Sequence, residues 1–300
     1  MYVVTGASGH TGQVVAARLL AEQKAVRIIG RSTERLGPLT RHGAEVWIGD
    51  LTDDKRLGEA FQGAEAAYVM LPPDPAATSY RTFQDRVSDL LAAAIREAGL
   101  THVVSLSSFG ADKVAGTGPV AGLHYLEQAL NQIPGLNVLH LRAGYFMENT
   151  LAQIGIIKTM GVVAGPLRAE VELPMIATGD IGEFAAEALL RLNFVGHEVR
   201  ELQGPRDVSM AEVASIIGAA IRRPHLSYKQ LPDDQVRAAL IQTGMSKDVA
   251  DLILEMSRAI NTGHMAALEK RSKENTTPTS YERFVKEVFA PQFRGKPAAA

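Results

Sequence analysis

The chain has 300 residues, 46% of them hydrophobic, with 31 Lys+Arg against 33 Asp+Glu for a formal net charge of −2. A chain this long holds a full core, either as one large domain or as a domain with a smaller lobe, and it has no basic excess for binding nucleic acid. Cys 0 excludes disulfides, thiolate nucleophiles and iron–sulfur clusters, the eight His are scattered without metal-ligand spacing, and no run approaches the ~20 apolar residues of a membrane helix. The start, Met1-Tyr2-Val3-Val4, lacks the basic and apolar regions of a signal peptide, so the protein is expected in the cytoplasm, without membrane or metal.

From the N-terminus, short β-branched runs alternate with segments of helical period. Met1–Thr5 precedes Thr11–Glu22, Val26–Gly30 precedes Glu34–His42, and Glu45–Ile48 precedes Lys55–Gln62. Ala66–Leu71 then precedes Ser79–Ala98, His102–Ser107 precedes Gly122–Gln132, and Asn137–Arg142 closes the series. Runs such as Val103–Leu106 are apolar without strict alternation, as in strands covered on both faces. The pattern predicts an α/β, Rossmann-type doubly wound parallel sheet over 1–150, to which 178–195 returns. Beyond Asn149, helical segments dominate: Leu151–Met160, Ile181–Leu192, Met210–Ile221, Asp234–Thr243, Lys247–Ile260 and Tyr281–Phe289. Only Val171–Leu173, Val199–Leu202 and Leu226–Tyr228 read as strands there. We therefore expect a smaller helix-rich lobe over 151–300, covering the carboxyl edge of the sheet. Asp234–Ile260 reads as a lid, a homodimer contact, or a helical stretch buried on its own domain. Gly295–Ala300 reads as a disordered tail.

The most informative segment is Thr5-Gly6-Ala7-Ser8-Gly9-His10-Thr11-Gly12, between the first strand and the first helix. A diphosphate lies against backbone amides at a helix's positive end, where side chains would hold it away. Gly6 permits the tight turn, Gly9 the close approach, and Gly12 the packing of helix on strand. Ser8, His10 and Thr11 complete the predicted dinucleotide cradle. At the end of the second strand, where an NAD-selective site carries a carboxylate, the chain has Gly30-Arg31-Ser32. A guanidinium pairs with a 2′-phosphate, and one charged hydrogen bond is worth about 1.5–3 kcal/mol, so Arg31 and Ser32 predict NADP(H). Asp50, in Gly49-Asp50-Leu51, accepts from the adenine amino group or caps the following helix. Met70, Leu71 and Pro72 are expected along the pyrophosphate and ribose, and Ser107, Tyr145 and Phe146 near the nicotinamide.

These segments together resemble the NmrA-like family of atypical short-chain dehydrogenase/reductases. Thr5–Gly12, Gly30-Arg31, Gly49-Asp50-Leu51, Leu71-Pro72-Pro73 and Ser107-Ser108-Phe109-Gly110 carry the resemblance. So do Leu141-Arg142-Ala143-Gly144-Tyr145-Phe146-Met147-Glu148-Asn149, similar to the family's Arg-x-Gly-x-Phe-x-Glu-Asn, and Asp180-Ile181-Gly182. The resemblance implies NADP(H) at the strand ends of the first domain. It implies either a quinone- or azo-reductase-like enzyme or a redox-sensing regulator with little turnover.

Classical short-chain enzymes protonate their product through Tyr-x-x-x-Lys on one helix face. Here Tyr125 is followed four positions on by Ala129, and the family's lysine position falls on Leu123, or on His124 with a one-residue shift. The pair is absent. His124, with the intrinsic pKa of a proton donor, and Tyr125 are the replacement candidates, each with a bland reading as surface or half-buried packing. General acid catalysis contributes about 10²–10⁴-fold, while orienting the reactants contributes about 7–11 kcal/mol. Losing the acid therefore favours an acceptor whose reduced form is a stabilised anion. The sequence predicts an NADPH-dependent oxidoreductase acting on a planar quinone-like molecule, with Phe109, Tyr145, Phe146 and Met147 lining the pocket.

Overall fold

The computed structural model describes residues 1–53 and 56–295 of the chain. The first half runs β1 (Tyr2–Val4), α1 (His10–Ala21), β2 (Val26–Gly30), α2 (Thr33–Arg41), β3 (Glu45–Ile48) and α3 (Leu57–Phe61). It continues through β4 (Ala66–Val69), α4 (Tyr80–Ala98), β5 (His102–Ser108), α5 (Val120–Asn131) and β6 (Asn137–Ala143). After these come β7 (Tyr145–Phe146), a 3₁₀ turn over Met147–Ala152, α6 (Gln153–Met160), β8 (Val163–Gly165), β9 (Glu172–Leu173) and β10 (Met175–Ile176). The rest is α7 (Thr178–Arg191), β11 (His197–Leu202), β12 (Val208–Ser209), α8 (Met210–Ala220), β13 (Tyr228–Gln230), α9 (Asp233–Gln242) and α10 (Lys247–Thr262). Finally α11 (Tyr281–Phe284) passes through a π turn, Val285–Phe289, into α12 (Ala290–Phe293).

Seven strands form one parallel sheet in the order β11-β6-β5-β4-β1-β2-β3. Its two faces are separately buried, as parallel strands require. Val4, Ile28, Tyr68, Leu106 and Leu141 face α1 and α7 through Val15, Leu19, Ile181 and Leu189. Val3, Val69, Val103 and Val138 face α3, α4 and α5 through Phe61, Leu91, Ile95, Leu126 and Leu130. A second core, with Met147, Ile157, Val163, Met175, Ile217, Phe284 and Phe289, belongs to the later segments.

Most sequence-read boundaries move by one or two residues. Leu71 falls outside β4, because Pro72 has no N–H to continue the ladder. α3 starts at Leu57, and position 55 of the predicted Lys55–Gln62 helix lies outside the described residues, as do 296–300 of the predicted disordered tail. Val199–Leu202, read as a strand of the lobe, is instead part of the seventh strand of the main sheet. α7 lies on α1 so closely that a Cβ at Gly182 would sit 2.6 Å from Val14 Cβ and 2.9 Å from the Thr11 carbonyl oxygen.

Carboxylates join the later segments to this frame. Glu148 accepts from the Thr178 N–H at 3.0 and 3.1 Å and from its hydroxyl at 2.6 Å, at the positive end of α7. Asp180, in the same first turn, accepts from the Thr279 N–H at 2.9 Å and hydroxyl at 2.8 Å. The outer edge of β11 is covered at its carboxyl end. The Glu201 N–H donates to Glu269 Oε1 at 3.2 Å, and the Gln203 N–H to the Asn275 carbonyl at 2.9 Å. Among the described residues, no helix is long and apolar enough to cross a membrane.

On the α5 side of the sheet His140 is buried between Ser105, 2.7 Å from Nδ1, and Asn131 Oδ1, 2.9 Å from Nε2. Asn131 Oδ1 only accepts, so Nε2 carries the proton and Nδ1 takes the Ser105 hydroxyl. Burial lowers this imidazole to about 4. The unfolded chain binds a proton below about 6.5 while the folded chain resists it down to about 4, so folding loses about 3 kcal/mol as the pH falls through that window. His140→Gln is expected to lower the melting temperature at pH 7 yet flatten its decline between pH 6.5 and 4. The comparison also separates His140 from buried Glu201, whose carboxyl is raised by burial and acts in the opposite direction. An unchanged slope in calorimetry would refute the assignment.

Candidate functional site: a backbone cradle at the strand ends

Thr5 closes β1 by donating its N–H to the Tyr68 carbonyl at 3.0 Å and accepting the Met70 N–H on Oγ1 at 3.0 Å. The chain then turns sharply. Gly6 is left-handed at φ +63°, and the Gly9 N–H donates to the Gly6 carbonyl at 2.8 Å. α1 begins at His10 with Gly9 as its N-cap, so no side chain takes the first-turn amides. A Cβ at Gly12 would lie 2.5 Å from the Gly6 oxygen and 2.8 Å from the Thr5 oxygen, so the helix rests directly on the strand end. Ser8, Gly9 and His10 are exposed. The Thr11 hydroxyl accepts from Tyr68 at 2.9 Å, and burial pushes that phenol's pKa up and keeps it a donor. What the segment offers is bare backbone at a helix's positive end, a shape and charge that fit a diphosphate.

At the next strand ends lie Arg31, Ser32, Asp50 and Leu51. The Arg31 side chain is 73% exposed, with Nη1 3.8 Å from Asp50 Oδ2. Ser32 is the N-cap of α2, yet its side chain makes no capping hydrogen bond. A guanidinium, a hydroxyl that does not cap its helix and an uncapped helix start thus sit together, the donor set a phosphate monoester needs. Asp50 closes a tight turn and does not cap α3, whose N-cap is Arg56: its Oδ1 accepts from the Thr52 N–H at 2.9 Å and hydroxyl at 2.8 Å. Leu51 and Leu71 are buried in the α3–α5 core, whereas Met70 and Pro72 are half-buried. Met70 lies over the turn, its Sδ 2.8 Å from where a Cβ on Gly6 would be.

At the ends of β5 and β6 the arrangement departs from the sequence reading. Ser107 is buried and donates to Glu127 Oε1 at 2.6 Å, while Arg142 grips the same carboxylate through Nε at 3.0 Å and Nη2 at 2.6 Å. Its proton is committed to α5. The neighbouring Ser108, on the opposite side of the strand, is half-buried, a choice the two-residue period of β5 makes in favour of Ser108. Tyr125 lies two positions from Glu127, about 200° round the helix. Its phenol donates to Asp89 Oδ1 on α4 at 2.9 Å, with Arg81 stacked 5.5 Å from the ring. That hydrogen bond raises the phenol's pKa, and the candidate acid is turned away from the strand ends. His124 donates Nδ1–H to the Ala111 carbonyl at 2.8 Å, just past β5, so Nε2 is the acceptor nitrogen of the neutral ring. Tyr145 and Phe146 are half-buried after β6, whereas Phe109 and Met147 are buried in the second core and do not line an open pocket.

Asp234–Ile260 folds as α9 and α10, with Val249, Ala250 and Leu254 buried on the chain's own body. The hairpin is fastened beside the loop after β4. The Ser246 N–H donates to the Pro75 carbonyl at 2.8 Å, and Asp248 accepts the Tyr80 N–H at 2.8 Å.

A family model described as the NmrA-like family matches residues 2–284. The chain is 30% identical over 278 residues to a (4-alkanoyl-5-oxo-2,5-dihydrofuran-3-yl)methyl phosphate reductase of Streptomyces griseus, covering 92% of this chain and 93% of that protein. It is 29% identical over 261 residues to an NAD(P)H azoreductase of Xenophilus azovorans, covering 85% and 86%. Its fold is similar to that of an Escherichia coli NADPH-dependent quinone oxidoreductase complexed with NADPH, at TM-score 0.75 and 20% identity over 100% of this chain and 96% of the other. The cradle's dependence on bare backbone can be measured directly. Gly12→Ala is expected to cost about 1–3 kcal/mol in urea unfolding, because the added methyl meets two carbonyl oxygens rather than a flexible side chain. A loss below about 0.5 kcal/mol, the size of an ordinary surface change, would show that α1 is not held against β1 as described.

Proposed function

We propose, for a chain that belongs to the NmrA-like family, an NADPH-dependent reductase that passes hydride to a quinone, azo or similarly conjugated acceptor. The observation that carries this reading is the glycine turn from Gly6 to Gly12 leading into an α1 start that no side chain caps, with Arg31 and the non-capping Ser32 hydroxyl at the adjoining strand end. The amides at the start of α1 hold the diphosphate. Arg31, Ser32 and the first turn of α2 hold the 2′-phosphate. Met70 and Pro72 flank the path between, and Tyr145 and Phe146 bracket the reducing end. Bound NADPH supplies the hydride.

The chain's own contribution beyond binding is orientation and one proton. With no Tyr–Lys pair, acceptors that need strong general acid help, such as sugars and steroids, are poorly served. A quinone leaves as a stabilised phenolate and takes its proton from water. An azo nitrogen becomes a strong base as it is reduced and needs a donor. His124 fills that role, its Nδ1–H pinned to Ala111 and its Nε2 free to give and regain a proton.

Two results test the reading. In thermal shift titrations NADPH is expected to stabilise the protein more than NADH, and Arg31→Ala to lose about tenfold or more in NADPH affinity. Stronger stabilisation by NADH would overturn the assignment. In steady-state assays His124→Gln is expected to lower kcat about 10–100-fold for an azo acceptor and less than about threefold for menadione, with Tyr125→Phe near wild type for both. Tight NADPH binding without turnover across quinone and azo acceptors would instead favour a nucleotide sensor.

A further inference from the structure

We propose that Asp50 sets nucleotide choice by positioning Arg31, a role that rests on the NADPH reading above. The two side chains differ in freedom. Asp50 is pinned, because Oδ1 accepts both the N–H and the hydroxyl of Thr52 at 2.9 and 2.8 Å. That turn aims Oδ2 at Arg31 Nη1, 3.8 Å away. Arg31 is 73% exposed and makes no hydrogen bond among the described residues, so the fixed carboxylate is what restrains it.

An arginine that grips a phosphate must give up much rotamer freedom. A carboxylate on one side of the guanidinium removes part of that freedom beforehand. The remaining N–H groups of the planar fork stay available for a second anion. Both groups are solvent-accessible, so the restraint is weak and its effect small, about three- to fivefold in affinity. It acts only on a ligand that uses Arg31. A carboxylate serving the adenine amino group would instead affect both nucleotides equally, since both carry adenine.

Asp50→Asn separates these roles, because the amide oxygen still accepts from Thr52 while the charge is gone. NADPH and NADH affinities are measured by calorimetric titration for the wild type, Asp50→Asn, Arg31→Ala and the double variant, with unliganded melting temperatures as the control on folding. Asp50→Asn is expected to weaken NADPH about three- to fivefold, to leave NADH unchanged, and to add nothing once Arg31 is alanine. Thr52→Val, which removes the hydroxyl donor but keeps the backbone N–H, loosens the carboxylate and is expected to shift the same ratio in the same direction by less. Equal losses for both nucleotides, no loss for either, or the same loss in the Arg31→Ala background would each overturn the positioning role. A wild type that does not favour NADPH would instead sink the nucleotide reading on which the proposal stands.

Discussion

The rest of the structure depends on one steric fact: α1 meets the end of β1 with no side chain between them. Gly12 sits within van der Waals exclusion of two carbonyl oxygens, so any larger residue would lift the helix and close the space above it. The same layer repeats once outward, where Gly182 lets α7 lie on α1 against Val14 and Thr11. Two glycines thus fix a helix–helix–strand stack whose positive ends point to one edge of the sheet. The proposed dinucleotide site is the by-product of that stacking.

α7 also explains the acidic residues in the motifs that carry the family resemblance. Glu148 and Asp180 are spent on threonines, one closing the start of α7 and the other tying the C-terminal segment to it. Anions suit a helix start for the same electrostatic reason that a diphosphate does. One side-chain carboxylate, Glu148, closes α7, while α1 is left without one. The difference between a structural joint and a binding site is here the presence or absence of one capping side chain.

Much of this was legible in the sequence. The glycine turn was read from its placement between a strand and a helix, and the six leading strands from their apolar runs. What stayed hidden required neighbours distant along the chain. Val199–Leu202 looks like any short strand until Asn137–Ala143 is seen to lack a partner on its outer side. Ser107 and Ser108 are adjacent letters, and the pleat alone turns one toward Glu127 and the other away. Tyr125 and His124 sit one step apart on a helix, yet Asp89 claims the first and Ala111 the second. Phe109 and Met147 were read as pocket lining because an apolar side chain carries no mark of whether it meets a ligand or another helix. Asp50 was read as an adenine acceptor or a helix cap, and the structure instead shows its Oδ1 closing a turn on Thr52, before α3 begins at Leu57.

The outer side of β11 carries one more implication. A parallel sheet ending in an uncovered strand is a template on which another molecule's backbone can pair, a route to aggregation. Here the Glu269 carboxylate and the Asn275 carbonyl occupy the donors that such a strand would need, at the carboxyl end of β11. The C-terminal segment therefore blunts that end of the edge strand against pairing with another chain, a protection written more than sixty residues downstream of the strand it covers.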